Sequence, residues 1–535
     1  MTETITALIN EALKKMGITD EEVSVEVPKT KENGDYSSNI GMRLAKKFKK
    51  RPMEIAQEIA FLIKNDNIEK IAIVEPGFIN FYLKKDYLFK NINTILKEKN
   101  KYGSSLCGKG KKINIEFVSA NPTGILHVGN ARGAAYGDSL ARILKFLGYD
   151  VTKEYYMNDA GVQVNKLGKS IKSNYLDLCK IENEFPEDGY PGKEIKQIAE
   201  QLYEKYKCSL KDNDLDIFKD AGIKYISDQI FQDLKEFRVE YDTITSEKEI
   251  REKYSIKDLI KTMRKNGYIY EKDGATWFKS SDIYDTEDRV LIKSDGNPTY
   301  IVPDILYHQD KFKRGFDRLY TILGTDHHGY VPRMKSSLKA LDYDDSKLDV
   351  KLLQLVRIVK NNKVVTMHKR EGNIIYLRDL IREVGVNASR YYFSKSSLDT
   401  QMDFDIELAK SKTNENPIYY VSYAYARMCS ILNVNKEITN IEEYKYIKDD
   451  TAIELLSLIY RFPEIVKKAG NKEEPHLITN YIFNLATLFH SFYEKYRIIT
   501  DNKTETNENL NLLKATKITL FNALNLIGVI PEERM

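Results

Sequence analysis

Cysteine is scarce in this chain of 535 residues, which holds only four. They are Cys107, Cys179, Cys208 and Cys429, with no Cys-x-x-Cys pair among them and no histidine nearby at the spacing of metal ligands. The sequence therefore predicts neither a disulfide framework nor a protein-bound zinc or other metal site. We expect the four side chains to be buried apolar fillers.

Long apolar runs and an excess of one charge are also missing. No stretch of 18 apolar residues occurs, so we expect no membrane span. Residues 1–17 have a helical pattern with charged side chains, unlike a signal peptide, and we expect a cytoplasmic protein. The 83 basic and 79 acidic residues give a net charge of +4, which permits RNA binding without requiring it.

The chain is too long for one ordinary core, and its patterns change along its length. Residues 1–105 are predicted to form a small α+β domain. Residues 106–400 alternate strand and helix patterns as a doubly wound α/β domain does, with strands predicted at 113–118, 319–323 and 352–359. A Lys- and Glu-rich helical insertion is predicted at about 165–245. Residues 401–535 have a purely helical pattern, interrupted by a polar stretch at 500–511 that is predicted to be a loop.

The most informative segment joins a predicted strand to a predicted helix. Residues 113–118 alternate apolar and polar side chains, and Pro122-Thr123-Gly124 has turn chemistry. Residues 140–147 then have the apolar spacing of an amphipathic helix. His127 and Asn130 fall in or just before the first turn of this helix, three positions apart and on one face.

A helix start of this kind suits a phosphate group. The first N–H groups of a helix lack internal partners and carry partial positive charge. His127 and Asn130 can add donors for a triphosphate, and Gly129 leaves room for a flat base to approach the backbone. From these residues alone, a role as a helix cap or surface residue explains the histidine equally well.

The longer string from Glu116 to Gly133, Glu-Phe-x-Ser-Ala-Asn-Pro-Thr-Gly-x-Leu-His-Val-Gly followed by Ala-Arg-Gly, resembles the signature of arginyl-tRNA synthetases, which are class I aminoacyl-tRNA synthetases. Collinear matches continue through most of the chain at residues 156–163, 274–278, 288–304 and 324–330. The resemblance implies a Rossmann-like class I catalytic domain, an N-terminal additional domain that contacts tRNA, and a C-terminal helical-bundle anticodon-binding domain.

The same resemblance implies the reaction and its partners. It is the ATP-dependent attachment of L-arginine to tRNA(Arg) through an arginyl-adenylate, with Mg²⁺ accompanying ATP and with AMP and pyrophosphate as products. The resemblance also implies that activation requires bound tRNA. We expect a monomer.

Two signatures are implied to hold ATP. The implied ATP-binding residues are Pro122, Thr123, Gly124, His127, Gly129, Asn130, Gly324, Asp326, His327, Met367, His368 and Lys369. His127, Asn130, Lys369 and Arg370 are implied to be catalytic. Class I enzymes carry a Lys-Met-Ser-Lys-Ser loop, whereas residues 366–370 read Thr-Met-His-Lys-Arg. Whether Lys363, His368 or Arg370 replaces the missing lysine stays open.

Selecting arginine requires carboxylates. A guanidinium is planar and permanently charged, so its pocket should present acidic side chains in bidentate geometry, and Glu116 and Asp304 are the candidates. The resemblance implies that Glu116, Ser119 and Asn121 hold the ammonium and carboxylate of arginine, that Tyr300 and Asp304 face the guanidinium, and that His328 lies close by. Alternatively, Asp304 caps a helix after Pro303, and Tyr300 packs in an apolar strand.

Recognition of RNA needs aromatic platforms and arginine planes. The candidates are Tyr419, Tyr420, Tyr423 and Arg427, with Tyr425 beside them and Met535 at the end of the chain. Tyrosines at helical spacing also form cores, so we expect only one or two to reach RNA. The basic run at 46–51 meets tRNA phosphates or is a solvated lysine face.

Two alternative functions remain at the level of sequence. One is a class I synthetase of another amino-acid specificity. The other is a catalytically inactive, synthetase-derived tRNA-binding protein, suggested by the altered loop at 366–370 and by Asn130 in place of the usual histidine.

Overall fold

The computed structural model describes residues 1–361, 363–365, 375–434, 439 and 441–535. The helices of these ranges are Thr2–Lys15 (α1), Ile40–Phe48 (α2), Pro52–Leu62 (α3), Lys85–Glu98 (α4), Val128–Phe146 (α5), Val162–Leu178 (α6), Lys193–Tyr206 (α7), Leu215–Glu236 (α8), Glu247–Lys253 (α9), Ile256–Lys265 (α10), Ile301–Lys313 (α11), Tyr330–Ala340 (α12), Leu377–Val384 (α13), Val386–Phe393 (α14), Ile406–Lys410 (α15), Pro417–Val434 (α16), Asp450–Tyr460 (α17), Phe462–Lys472 (α18), His476–Lys495 (α19) and Lys503–Leu526 (α20). The strands are Tyr36–Ser38 (β1), Ile68–Val74 (β2), Phe78–Leu83 (β3), Lys112–Glu116 (β4), Asp150–Met157 (β5), Thr243–Ser246 (β6), Ile269–Lys272 (β7), Ala275–Phe278 (β8), Arg289–Ile292 (β9), Arg318–Gly324 (β10), Leu348–Leu353 (β11), Val356–Lys360 (β12), Lys363–Val365 (β13) and Met402–Asp405 (β14).

A parallel five-stranded sheet forms the centre of the molecule. Its strand order is β11-β10-β4-β5-β6, so the chain begins in the middle, builds outwards through β5 and β6, and then crosses to the other side of β4. This order reverses between β4 and β10. In doubly wound folds, ligands bind beyond the carboxyl ends of the strands at such a reversal.

The first strand of this sheet is buried on both faces. Ile113 and Ile115 face one side, and Asn114 and Glu116 on the other side are also buried. Parallel strands covered by helices on both faces take this environment. The alternation therefore identified the strand correctly, although the polar half of its pattern lies in the protein and not in solvent.

The prediction of one strand across residues 352–359 was wrong. β11 ends at Leu353, and β12 begins at Val356 in a second sheet with β13 and β14. The fully buried Arg132 of α5 lies at the break, where its guanidinium donates to the carbonyl oxygens of Gln354 at 2.9 Å, Ser397 at 2.6 Å and Thr400 at 2.9 Å. The first of these bonds holds the backbone in the break between the two strands, and the other two hold the segment that precedes β14.

Polar residues misled the prediction at residues 500–511. Helix α20 begins at Lys503, and the Oδ1 atom of Asn502 caps it by accepting the N–H groups of Thr504 and Glu505. Glu508 is buried because its carboxylate accepts backbone N–H groups from residues 445–447. One of these polar residues therefore caps the helix, and the other accepts hydrogen bonds from a distant segment of backbone.

Glu473, between α18 and α19, joins the helical region to the central sheet. Its carboxylate accepts the Tyr320 hydroxyl at 2.6 Å, pairs with Arg318 at 3.1 Å and pairs with Lys351. Its backbone oxygen accepts the Tyr136 hydroxyl at 2.7 Å. One residue of the helical region therefore contacts α5, β10 and β11 of the central domain.

The cysteine prediction requires correction. Helices α6, α7 and α8 occupy the predicted insertion, and a disulfide joins Cys179 to Cys208 with a Cα–Cα distance of 5.7 Å. The 28 residues between them form helix α7 and its flanking loops, so the pair meets only after that helix has folded back. Cys107 is exposed, and Cys429 alone is a buried filler.

Among the described residues, no helix is both long enough and apolar enough to cross a lipid bilayer.

Candidate active site

A cavity of about 720 Å³ opens where the strand order reverses. It is bordered by the carboxyl ends of β4, β5, β10 and β11, by the start of α5, and by α11 and α12. Its lining includes Glu116, Ser119, Asn121, His127, Gly129, Asn130, Tyr156, Asn158, Tyr300, Asp304, Tyr307, Gly324, Asp326, His327, Tyr330 and Arg333. The structure thus brings residues of the 116–133 segment and of the 324–330 segment into one chamber.

The turn after β4 is held in an unusual backbone conformation. Val118 and Ser119 have φ angles of 68° and 38°, a region that costs of order 1–3 kcal/mol for each non-glycine residue. The Ser119 hydroxyl oxygen accepts the Tyr156 N–H at 3.1 Å, and the Tyr155 hydroxyl donates to the Ala120 carbonyl at 2.7 Å. Strand β5 therefore fixes the strained turn that leads to Asn121.

His127 and Asn130 cap helix α5 together. The Nδ1 atom of His127 accepts the Gly129 N–H at 3.1 Å, and the Oδ1 atom of Asn130 accepts the His127 N–H at 3.2 Å. With Nδ1 acting as acceptor, a neutral His127 ring carries its proton on Nε2, and Asn130 keeps its amide nitrogen as a donor. Both the cap role and the donor role considered from the sequence are therefore compatible in one geometry.

Gly129 is required by the histidine ring. A Cβ atom at this position would lie 2.8 Å from His127 Cε1 and 2.9 Å from its Nδ1. The sequence interpretation gave this glycine the task of admitting a base. The structure supplies a nearer reason, because any side chain here would displace the ring that caps the helix.

The far end of the cavity is acidic. Burial, together with the charges of Glu247 and Glu116, raises the pKa of Asp304 to about 8. Burial also raises the pKa of Glu247, against the opposing effect of Arg251, whose Nε donates to Glu247 at 2.8 Å. The amide nitrogen of Asn158 donates to the second Glu247 oxygen at 2.8 Å. Two carboxyl groups with suppressed ionisation form a site for a cationic ligand.

Glu247 was missed by the sequence interpretation. It lies in a charged segment without a motif, at the first position of α9, directly after β6. Recognition of Thr243–Ser246 as a parallel strand would have drawn attention to the residue that follows its carboxyl end.

Glu116 is paired within the protein. Its Oε2 atom lies 2.5 Å from the ammonium nitrogen of Lys311, which is fully buried, and 3.4 Å from the Thr321 hydroxyl. Lys311 lies on α11 and was not predicted from the sequence to be at the site. A lysine inside a helix carries no local signal of such a contact.

The structure supports neither the packing of Tyr300 in an apolar strand nor the role of Asp304 as a helix cap. Tyr300 immediately precedes α11 and is 74% exposed, so its placement in an apolar strand was wrong. Its hydroxyl accepts Arg333 Nη1 at 3.0 Å. Asp304 lies in the first turn of α11 but is not its cap, since that position belongs to Tyr300.

Other predicted residues border the cavity less closely or lie outside the description. Pro122, Thr123, Gly124 and His328 are not among the residues that line it, and His328 Nδ1 faces the Thr325 carbonyl at 3.2 Å. Lys363 is exposed on β13. Met367, His368, Lys369 and Arg370 lie outside the described residues. Within the described part of the chain, no three His, Cys, Asp or Glu side chains form a group that could hold a metal ion.

A cluster of aromatic rings lies on α16 in the helical region. Tyr419 and Tyr423 stack at 6.4 Å, and the Arg427 guanidinium lies 4.6 Å from the Tyr423 ring and 4.4 Å from the Tyr493 ring. Tyr420 packs at 4.3 Å on His490. Tyr425 is buried, whereas Met535 is 58% exposed at the chain end.

Comparison with known proteins matches three family profiles in chain order. The arginyl tRNA synthetase N terminal domain matches residues 3–83, the class I (R) tRNA synthetase catalytic domain matches 91–404, and the DALR anticodon binding domain matches 421–535. Arginine–tRNA ligases of Bacillus pumilus and Bacillus subtilis are 47% and 45% identical to the chain. Both alignments cover 98% of this chain, and they cover 97% and 98% of the two relatives.

Two solved structures are similar to the whole chain. The Thermus thermophilus arginyl-tRNA synthetase has a TM-score of 0.79 at 19% identity and covers 100% of both chains. The Plasmodium falciparum arginyl-tRNA synthetase has a TM-score of 0.78 at 18% identity, covering 100% of this chain and 99% of its own. At these identities the likeness concerns the fold.

The parallel sheet, the helix start after β4, the 324–330 segment after β10 and the match to the class I catalytic domain define a class I aminoacyl-tRNA synthetase. The extent of the matches is more specific. The chain belongs to the arginyl-tRNA synthetase family. The resemblance found in the motifs and the predicted fold class are thus confirmed.

Proposed function

We propose that the cavity between β4 and β10 is where this enzyme activates L-arginine with ATP before transfer to tRNA(Arg). The enzyme is an arginine–tRNA ligase, and ATP is its second substrate. The observation that supports this site is the meeting of Asp304, whose pKa is raised in part by the charge of the buried Glu247, with the His127–Asn130 helix start in one chamber. A guanidinium fits the acidic end, and phosphates fit the helix start.

The chemistry needs alignment more than proton transfer. The α-carboxylate of arginine attacks the α-phosphorus of ATP, a bond to phosphorus forms, and pyrophosphate leaves with the electron pair of the broken P–O bond. The nucleophile is already ionised at neutral pH, so no general base is required. The protein must hold both reactants in line and stabilise charge on the phosphoryl oxygens.

At the ATP end, His127 and Asn130 serve as donors. The cap geometry directs the His127 Nε2 proton and the Asn130 amide protons away from the bonds that hold the helix start. The first N–H groups of α5 add partial positive charge. Gly324, Asp326 and His327 border the adenosine side of the cavity, and Pro122, Thr123 and Gly124 support the turn. From the sequence resemblance, we assign Met367, His368, Lys369 and Arg370 of the altered Lys-Met-Ser-Lys-Ser segment to the leaving pyrophosphate.

At the arginine end, we assign the guanidinium to Asp304 and Glu247, with Tyr300 at the entrance. Ser119 and Asn121 lie on the strained turn beside Glu116, where the ammonium and carboxylate of the substrate are held. Citrulline lacks the charge that two buried carboxylates require, and lysine lacks the planar set of donors. The pocket therefore discriminates through charge and through hydrogen-bond geometry.

Several further assignments complete the proposal. Residues 1–105, 106–400 and 401–535 act as the tRNA-contacting, catalytic and anticodon-binding domains, and the cluster of Tyr419, Tyr420, Tyr423 and Arg427, with Met535, faces RNA. Mg²⁺ arrives with ATP as part of that substrate, held by phosphate oxygens. The enzyme works as a monomer in the cytoplasm.

The proposal is tested by pyrophosphate exchange into ATP, measured with each of the twenty amino acids, with and without tRNA(Arg). Among the twenty amino acids, we expect only arginine to support exchange. We also expect this exchange to require tRNA. Exchange with another amino acid would support the alternative specificity. An absence of exchange and of tRNA charging, with tRNA binding intact, would support the catalytically inactive alternative.

A further inference from the structure

The buried pair of Lys311 and Glu116 lies directly beneath the cavity. The Lys311 ammonium lies 2.5 Å from Glu116 Oε2 and 4.2 Å from the centre of the Tyr307 ring, and its side chain has no exposed surface. Thr321 donates to the same oxygen at 3.4 Å. Among the described residues, every hydrogen bond to this carboxylate falls on Oε2, while Glu116 also lines the cavity. Lys311 therefore binds one oxygen of the carboxylate, Oε2, and leaves Oε1 without a hydrogen bond from the described residues.

Lys311 also connects the two ends of the arginine pocket. Asp304, Tyr307 and Lys311 are spaced by three and four positions and lie on one face of α11, with about 10 Å along the helix axis between the first and the last. Asp304 on α11 is assigned to the guanidinium of arginine, and Glu116 on β4 is assigned to its α-ammonium. The Lys311–Glu116 contact thus fixes how far the ammonium partner lies from the guanidinium partner.

We propose that Lys311 is a positioning residue for arginine activation. Its ammonium fixes Glu116 Oε2 and thereby presents Oε1 to the α-ammonium of arginine, which aligns the α-carboxylate with ATP. The proposal rests on the role of Glu116 assigned above. Lys311 itself does not touch the substrate, because its fully buried side chain does not line the cavity, whereas its neighbours Glu116 and Tyr307 do.

Removing the lysine has two opposite effects on arginine binding. The substrate ammonium no longer competes with a resident cation for Glu116, which favours binding. The carboxylate also loses its fixed orientation beside two other acidic groups, Glu247 and Asp304, which disfavours productive binding. Arginine affinity therefore changes little, whereas alignment is lost, and a displacement of about 1 Å can cost roughly 100-fold in rate.

A matched control is present on the same helix. Arg314, one turn after Lys311, pairs at 2.8 Å with the buried carboxylate of Glu154 on β5. This is also an ion pair between α11 and the central sheet, but Glu154 is not among the residues that line the cavity. Arg314→Met removes a comparable contact without acting on the substrate ammonium.

The experiment compares Lys311→Met with Arg314→Met in the full-length enzyme by tRNA-dependent pyrophosphate exchange and thermal unfolding. We expect Lys311→Met to lower kcat roughly 100-fold, with an arginine KM within about threefold of the wild type. Arg314→Met should lower the unfolding temperature similarly while leaving kcat within about twofold. Lys311→Gln, which keeps a donor for Oε2, should recover part of kcat and also serves if the methionine variant does not fold.

An unchanged kcat in Lys311→Met, or a loss in Arg314→Met equal to that in Lys311→Met, would overturn the proposal. Glu116→Gln separates this result from a failure of the assigned Glu116 role. If Glu116→Gln leaves both arginine KM and kcat unchanged, the role of Glu116 is wrong. If it impairs activity while Lys311→Met and Lys311→Gln are both silent, only the role of Lys311 is overturned.

Discussion

The Asn130 side chain accepts the backbone N–H of His127 at 3.2 Å, so the two signature residues form one hydrogen-bonded unit at the start of α5. A histidine at position 130, the usual residue of class I signatures, would bring a ring in place of this short amide. Asparagine at this position combines an acceptor for the cap with a donor for a phosphate. Its substitution therefore need not signal loss of catalysis.

Substitution of Asn130 separates its two functions. Asn130→Ala removes both cap and donor, and we expect it to destabilise the helix by about 1 kcal/mol and to lower kcat about 100-fold. Asn130→Asp keeps the acceptor oxygen but places a negative charge beside the phosphates. It should unfold like the wild type while ATP KM rises and kcat falls. Unfolding curves and exchange kinetics measure the two effects, and wild-type kinetics in Asn130→Asp would refute the donor role.

Arginine binding should depend on pH through Asp304. Its pKa is raised to about 8 in the free protein, so the carboxyl is mostly protonated at pH 7, whereas pairing with a guanidinium requires the ionised form. Binding therefore releases a proton, and arginine affinity should rise with pH, by at most about tenfold per unit, until about pH 8. Calorimetry in buffers of different ionisation enthalpy counts the protons released.

Asp304→Asn is the control for this pH dependence. It should bind arginine weakly and without this proton release. The same shift affects stability in the absence of arginine. Because the folded protein holds this proton more tightly than the unfolded chain, with its ordinary pKa of 3.8, stability should fall as pH rises from 3.8 towards 8. A wild-type affinity that is constant between pH 6 and 8 would contradict the assignment.

Glu247 should affect arginine more than ATP. Glu247→Gln retains the shape and the acceptor oxygen but removes the charge, so we expect arginine KM to rise roughly 10- to 100-fold with ATP KM unchanged. Glu249→Gln is the matched control, because Glu249 lies on the same helix but is exposed. Equal effects of the two substitutions on arginine KM would argue against a contact between Glu247 and the guanidinium.

The aromatic cluster on α16 is testable through tRNA. Arg427→Ala removes a plane that lies 4.6 Å from Tyr423, and loss of one stacked base should raise tRNA KM about tenfold. Tyr425→Phe, at a buried position of the same helix, should leave tRNA KM unchanged. Charging assays across tRNA concentrations provide the measurement. If Tyr425→Phe weakens tRNA binding as strongly as Arg427→Ala, the effect comes from packing of the helix.

Local chemistry explains what the sequence could predict. The turn after Phe117 and the 324–330 motif can both be recognised from neighbouring residues, and the two segments follow the adjacent central strands β4 and β10. Glu247 and Lys311 could not be found in this way. Glu247 on α9 acts on the site through the effect of its charge on Asp304 of α11, and Lys311 on α11 acts through its ion pair with Glu116 on β4.

Polarity misled the interpretation where polar groups are buried. Glu508 and Asn502 were read as loop residues, yet one satisfies buried N–H groups and the other caps α20. The break between β11 and β12 depends on Arg132, more than 200 positions earlier in the chain. The partners of Glu508 and of Arg132 lie far away along the chain, and a local sequence pattern does not include them.

Glu473 has a consequence for recombination between relatives. The residue comes from the helical region, but four of its partners, Tyr136, Arg318, Tyr320 and Lys351, belong to the catalytic half. A chimaera that exchanges the C-terminal half at residue 405 separates this set. If the incoming segment lacks an acidic residue at this place, the Tyr320 hydroxyl loses its acceptor, and Arg318 and Lys351 keep only Asp349 as an ion-pair partner. Exchange between family members should therefore disturb the sheet least when position 473 is inherited together with positions 318, 320 and 351.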